Sequence, residues 1–298
     1  MSVLDSALNH LQVNTGKMTP RERMIAALTH RVPDRIPGGG CGTTREMSAT
    51  MQRFAAERGV DWGRFLGLID DAIYAGLPYL GPTKEDKDLW GIQRKKQSYG
   101  SGEYDEIDVF PLADVEDLKV LADYPWPDPA RHEFDALRPK ILAANPQRQK
   151  AVVFGGAGNP FEIYCWMTGL EEGMINLLVN PDLVVAALDR ITGFFEEKVR
   201  RTLLGCGDLV DVVFFADDLG SQTSLLMSRE TYRSILQPFH RRLTACVRQH
   251  APAALSMFHS DGAVFDIMPD VMDAGIQVLQ AVQVEAEGMD PARLKQAY

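Results

Sequence analysis

The feature that most narrows the fold is a rhythm. From residue 151 onward, short apolar runs alternate with stretches of helical period. Ala151-Val152-Val153-Phe154 reads as a buried strand that ends in Gly155-Gly156-Ala157-Gly158. Residues 160–178 read as a helix. Asn180-Pro181-Asp182 starts another, whose apolar positions Val184, Leu188, Ile191, Phe195 and Val199 recur every three or four residues. Val210 to Phe215 is a second strand, stopping at Asp217-Asp218. Ser228 caps a helix that reaches His250, with Pro238 as a kink. Leu255 to Phe258 is a strand that ends at His259-Ser260-Asp261-Gly262, and Val278 to Val282 is the next. A helical start follows at Asp290-Pro291. Strands separated by helices predict a parallel sheet covered by helices.

The first half is less regular. Residues 1–17 read as a loose leader. Thr19-Pro20-Arg21-Glu22 carries a cap, a first-turn proline and a capping-box glutamate, so a helix is expected through Leu28. Arg35-Ile36-Pro37 is expected to be a short strand running into the glycine-rich turn Gly38–Gly42. A helix follows from Arg45 to Arg58, and Asp71–Ala75 is read as a strand. Residues 88–112 read as a β-hairpin inserted in a loop, and Tyr124–Pro129 as an extended connector. The strand-helix units number about six, whereas a closed barrel has eight. The expectation is therefore an α/β fold. It is a (β/α)8 TIM barrel built by a single domain over 18–298, C-terminally truncated by roughly two units. An open six-stranded sheet is the alternative, with exposed edges.

Composition removes several function classes. The chain has 298 residues, 45% of them hydrophobic, enough for one large core. Its net charge of −10 supplies no basic face for nucleic acid. No run approaches roughly 18 apolar residues, and the N-terminus lacks a basic-then-apolar pattern, so neither a membrane span nor a signal peptide is expected. The four cysteines have no CxxC spacing and read as free thiols in a cytoplasmic protein. The glycine turns match neither a Walker loop nor GxGxxG, which excludes a nucleotide site of those kinds.

Catalytic groups in barrels of this type lie where strands end. Three ends carry polar residues: Asp217 and Asp218, then His259 and Asp261, then Gln283. The adjacent carboxylates Asp217 and Asp218 can bend toward one ligand, and crowding would raise the pKa of one, giving a proton donor. The plain alternative is a capping Asp218 beside a solvated Asp217. His259 and Asp261, two residues apart, can reach one ion, and zinc accepts such ligands. A strand-end histidine held by its aspartate is the alternative there. Candidate substrate-binding residues are Cys41 and Arg45 near the first glycine turn, Gly155, Gly156 and Asn159 near the second, and Gln222 and Gln283. Cys165, Cys206 and Cys246 read as packing residues on helices.

Several segments together resemble one superfamily. Met18-Thr19-Pro20-Arg21-Glu22-Arg23, Arg31-Val32-Pro33-Asp34-Arg35-Ile36-Pro37 and Asp88-Leu89-Trp90-Gly91 are similar to the opening of uroporphyrinogen decarboxylase-like and corrinoid methyltransferase-like proteins. Ala216–Gln222 resembles the acidic strand-end motif of that superfamily, and Ser228–Tyr232 with Pro238-Phe239 resembles the helix after it. His259-Ser260-Asp261-Gly262 stands where the methyltransferases carry His-x-Cys-Gly, and 274–283 resembles the next unit. Two departures matter. The resemblance implies an arginine-rich N-terminal loop in true decarboxylases, and Gly38–Met47 offers only Arg45. It also implies a zinc-binding cysteine two residues after the histidine, where this chain has Asp261. The resemblance thus implies a methyltransferase that moves a methyl group between a small methylated substrate and a corrinoid (cobalamin) on a partner protein. Catalytic residues would be Asp217, Asp218 and His259, with a zinc role for His259 and Asp261. A porphyrinogen carboxy-lyase and a non-catalytic binding barrel are the alternatives. An oligomer is compatible with the sequence.

Overall fold

The computed structural model describes residues 17–39, 44–83, 86–100 and 102–298. It is a mixed α/β chain with a central parallel sheet of five strands. The elements in chain order are α1 (Pro20–Leu28), α2 (Arg45–Ala56), α3 (Trp62–Ile69), β1 (Ala72–Ala75), β2 (Gln93–Ser98), β3 (Glu103–Val109), α4 (Leu118–Ala122), α5 (Phe134–Ala144), β4 (Ala151–Gly158), α6 (Pro160–Thr168), α7 (Leu170–Val179), α8 (Pro181–Cys206), β5 (Val212–Ala216), α9 (Arg229–Thr231), α10 (Gln237–His250), β6 (Leu255–His259), α11 (Met268–Asp273), β7 (Val278–Gln280) and α12 (Pro291–Ala297). A π turn, Tyr232–Leu236, joins α9 to α10. The strand order is β1-β4-β5-β6-β7. Contacts divide the chain into two compact units, Met1–Ala75 with Pro139–Val153, and Gly76–Arg138 with Phe154–Tyr298.

In the first unit, α1 begins as its sequence dictates. The Glu22 amide donates to Thr19 Oγ1 at 3.2 Å, and the Thr19 amide donates to Glu22 Oε2 at 2.8 Å, closing a capping box. The unit turns on Asp71, which has no solvent exposure. Asp71 accepts from Arg23 at 2.6 Å, from Arg35 at 2.9 Å and from the Gly38 amide at 2.7 Å. Three donors satisfy a carboxylate that would otherwise be costly to bury. Arg35-Ile36-Pro37 forms no strand; these residues are irregular. Prolines 33 and 37 withhold two ladder donors, and Ile36 is largely exposed. Arg35 spends its guanidinium on Asp71 instead.

The second unit holds the regular part. β5 and β6 pair in parallel, with Ala216 opposite His259, and β6 pairs in parallel with β7, with His259 opposite Gln280. Burial alternates along both central strands. Val213, Phe215 and Asp217 are buried, as are Ser256, Phe258 and Ser260. Phe214, Ala216 and Asp218, like Met257 and His259, keep partial exposure. Successive side chains of a strand point to opposite faces, so one face packs inward and the other stays open. The stretch read as one helix over 160–178 is divided at Gly169, whose φ of 90° stops α6 and starts α7. α8 lies against α10, and its Phe194 and Phe195 gather Trp90, while Tyr79 and His132 join through Phe194. β2 and β3 form an antiparallel ribbon in which Lys95 meets Asp108 and Lys96 meets Asp105, both at 2.7 Å. Among the described residues, no helix is long and apolar enough to cross a membrane.

Gly262 follows the His259-Ser260-Asp261 strand end with φ at 88°. A Cβ there would strike the backbone of Gly220 and Ser221. Gly262→Ala should therefore destabilise the protein by about 1–3 kcal/mol, combining left-handed strain with overpacking. Urea unfolding of wild type and variant measures the difference, and equal midpoints would contradict the close approach.

Candidate active site at the strand ends

The pleat separates the two aspartates that the sequence sets side by side. Asp217 points to the buried face and has no solvent exposure. Its Oδ2 lies 2.8 Å from His240 Nε2, and its Oδ1 accepts the Glu162 amide at 2.7 Å. Burial pushes the Asp217 carboxyl upward, and the His240 bond and charge pull it back. Asp218 points to the open face, where its Oδ1 accepts the Asp261 amide at 2.9 Å. The two carboxylates therefore do not share one ligand-facing wall, because an extended chain sends neighbours apart.

On the open face, Asp218 meets His259 and Asp261. His259 Nε2 is 3.6 Å from Asp218 Oδ1 and 3.9 Å from Asp261 Oδ2. His259 Nδ1 lies 2.7 Å from Gln280 Oε1, an acceptor, so the ring carries its proton on Nδ1. Nε2 is thereby left on the side of the two carboxylates, as in histidine metal ligands whose other nitrogen is held. One donor atom from each of the three residues falls within 4.8 Å of the others. Among the described residues this is the one His/Cys/Asp/Glu group with such spacing. It offers one imidazole and two carboxylates, a nitrogen-and-oxygen set that suits zinc or a similar divalent ion.

Within the field of Asp218 and His259 is a residue that sequence reasoning passed over. Glu162 sits in the first turn of α6, with its amide fixed by Asp217 and its Oε2 accepting from Asn159 Nδ2 at 3.1 Å. Burial first, then the nearby charge of Asp217, pushes its carboxyl up to about 7; Asp218 adds to the rise and His259 opposes it. Such a group exchanges its proton near neutral pH.

The remaining candidates separate clearly. Gln283 Oε1 accepts the Gly262 amide at 2.8 Å and its Nε2 donates to Gln222 at 3.0 Å, so both glutamines brace the loops around Asp261. Gly155 is half-buried and Gly156 exposed near the end of β4. Asn159 orients Glu162. Arg45 is the exposed first residue of α2, in the first unit. Cys41 lies outside the described residues. Cys165, Cys206 and Cys246 are buried, and burial pushes their thiols well above the ordinary range, which makes them inert packing groups.

A family model described as uroporphyrinogen decarboxylase (URO-D) matches residues 98–287, which takes in the whole acid cluster. The chain belongs to the uroporphyrinogen decarboxylase family. Among solved structures, a methyltransferase from Methanosarcina mazei aligns with a TM-score of 0.54 and 17% identity, covering 89% of this chain and 76% of that one. At that identity the likeness speaks for the fold. No curated protein matches. Within this URO-D chain, Glu162 could have been found from Asn159-Pro160-Phe161-Glu162, a strand end followed by a helix-starting proline. An acid in a first helical turn is ordinarily explained by the helix dipole, which is why it drew no notice.

The Glu162 shift has a consequence for stability. Its folded pKa of about 7 lies above the ordinary 4.5, so the folded state holds an extra proton between those values. Stability from this group is complete below the lower value and declines as pH rises through the window. Glu162→Gln should thus be more stable than wild type at pH 8, by on the order of 1–3 kcal/mol, with little difference near pH 4. Chemical denaturation at both pH values tests this, and a pH-independent difference would contradict it.

Proposed function

We propose that this URO-D family member is a methyltransferase of the corrinoid-dependent type. In this reading it moves a methyl group between a small O- or N-methylated substrate and a cobalamin carried by a partner protein, in the cytoplasm. The five-stranded parallel sheet is read as part of a barrel of the (β/α)8 kind. The observation that carries the proposal is Glu162, a carboxyl that keeps its proton to about pH 7 beside the Asp218–His259–Asp261 group.

Cleaving a methyl–oxygen bond leaves the electron pair on oxygen, and a poor leaving group of that kind needs a proton or an equivalent positive charge. Glu162 supplies the proton, so the substrate departs as an alcohol and Glu162 remains as a carboxylate. The methyl group goes to the corrinoid acceptor, and in the reverse direction Glu162 takes the proton back. Asn159 holds the Glu162 carboxyl in place. Asp217 anchors its backbone and does not touch substrate. His259, Asp218 and Asp261 form the set that would hold a divalent ion; bound there, the ion would polarise the substrate heteroatom. Because Asp261 replaces a thiolate, the ligands are harder than a His-Cys set, and oxygen-bearing substrates match them best.

The same residues speak against a porphyrinogen. Asp218 and Asp261 flank one imidazole and Glu162 lies within their field, and these acids would repel a polycarboxylate, which needs clustered cations.

Assay with a panel of O- and N-methyl donors and reduced cobalamin tests the proposal. Without a bound ion, transfer should fall as pH rises past about 7, following loss of the Glu162 proton; an ion held at the cluster would move that fall to lower pH. Glu162→Gln should lower kcat by roughly 10²–10⁴-fold, the usual contribution of general acid catalysis. No transfer from any donor would refute the reading, and conversion of uroporphyrinogen would replace it with decarboxylation.

The metal set is checked separately. Titration with cobalt(II) or zinc(II) should show one site, and His259→Ala or Asp218→Asn should weaken it at least about tenfold. Affinity that ignores both substitutions would remove the ion from this cluster.

A further inference from the structure

We propose that Tyr232 and His240 are positioning residues that set Glu162 over the acid cluster through Asp217. This deepens the reading of Glu162 given above and rests on it. The three residues form one buried chain. Tyr232 is fully buried, His240 keeps 3% exposure and Asp217 keeps none. Tyr232 Oη lies 3.0 Å from His240 Nδ1, and His240 Nε2 lies 2.8 Å from Asp217 Oδ2. With Asp217 ionised, His240 donates from Nε2 to its carboxylate, and the Tyr232 hydroxyl bonds the opposite ring nitrogen, Nδ1. At the far end, Asp217 Oδ1 takes the Glu162 amide at 2.7 Å.

The local helix geometry is arranged for this contact. Tyr232 and His240 are eight positions apart. On a regular α-helix that spacing puts them about 80° apart around the axis. The π turn Tyr232–Leu236 absorbs one residue. The pair then behaves as if seven apart, within about 20° of one line. π turns are uncommon and cost hydrogen-bond geometry, so one that aligns two polar side chains on a buried carboxylate calls for a purpose. Pro238 sits in the first turn of α10, immediately after it, where its missing N–H is tolerated. The His240 ring also packs edge-on against Phe258 at 5.1 Å, which fixes the imidazole plane.

What the chain positions is specific. The amide of Asp217 donates to the carbonyl of His259 at 3.1 Å. Asp217 therefore ties the first turn of α6 to the ends of β5 and β6. Its side chain fixes Glu162, its backbone fixes His259, and its neighbour is Asp218. A shift of the Asp217 carboxylate would move the acid relative to the group it serves.

Hydrogen exchange at the Glu162 amide, followed by NMR or mass spectrometry on the full chain, tests this without needing turnover. His240→Ala should speed exchange at Glu162 at least tenfold while amides of β5, β6 and α10 stay protected. His240→Gln, whose amide can still donate to Asp217, should restore protection. Tyr232→Phe removes one oxygen and should speed Glu162 exchange about threefold; it is the deciding variant if His240→Ala does not fold. Unchanged exchange at Glu162 overturns the proposal. Acceleration spread evenly over β6 and α10 also overturns it, because that is the mark of a packing role alone. With methyl transfer established, His240→Ala and Tyr232→Phe should lower kcat with little change in KM, and His240→Gln should recover most of it. Absent turnover in wild type would sink the methyl-transfer reading and leave the exchange result to judge the positioning chain.

Discussion

A carboxylate removed entirely from water needs donors on each oxygen, and Asp217 finds them on two different helices. His240 comes from α10 and the Glu162 amide from α6, while the Asp217 backbone is bonded to β6. Removing either partner would leave a charge buried without compensation, a loss of about 3–5 kcal/mol in comparable pairs. This cost makes the arrangement discrete. The helix start that carries Glu162 and the strand ends that carry Asp218 and His259 have one low-energy relation, because only that relation satisfies Asp217. A site built on loops alone would lack such a constraint.

The consequence is a division of labour between adjacent residues. Asp217 and Asp218 differ by one position, and the pleat turns that into opposite environments. The first loses solvent and acts by holding. The second keeps solvent and stands 3.6 Å from His259. Asp217 still reaches the open face through its charge, since it helps raise the Glu162 carboxyl to about 7. A buried charge acts over a longer range than an exposed one because little water screens it. The same carboxylate thus orients Glu162 through a hydrogen bond and tunes it through the field.

Much of this was legible in the sequence. The alternation of apolar runs and helical stretches after residue 151 corresponds to β4 through β7 and their helices, because buried parallel strands and amphipathic helices have different periods. The strand-end positions of Asp218, His259 and Asp261 could be read for the same reason. The direction of Asp217 could not, since it depends on which parity of β5 faces the helices. Glu162 was hidden because its shift arises from burial and from charges about 55 positions further along the chain, which no local pattern reports. The strand expected at Arg35–Pro37 failed on its prolines and on a tertiary demand, as Arg35 is drawn to the buried Asp71. His240 and Tyr232 carried no signal beyond a helix with a proline in it. Their alignment depends on a π turn that a period-based reading has no means to anticipate.

The sign of the local charge decides between substrate classes better than the fold does, because one fold supports many chemistries. Asp218 and Asp261 beside one imidazole, with Glu162 within their field, would favour positive charge: a proton on Glu162 or, on the reading proposed above, a divalent ion or a substrate heteroatom that becomes basic as its bond to carbon breaks. A porphyrinogen would bring carboxylates into that field and need cations to hold them. The Asp261 amide donates to Asp218, and the Gly262 amide donates to Gln283, which in turn donates to Gln222, so the loop that carries Asp261 is tied to the end of β5. On the reading proposed above, the Glu162 proton is worth most on a donor atom that gains electron density as its methyl group leaves.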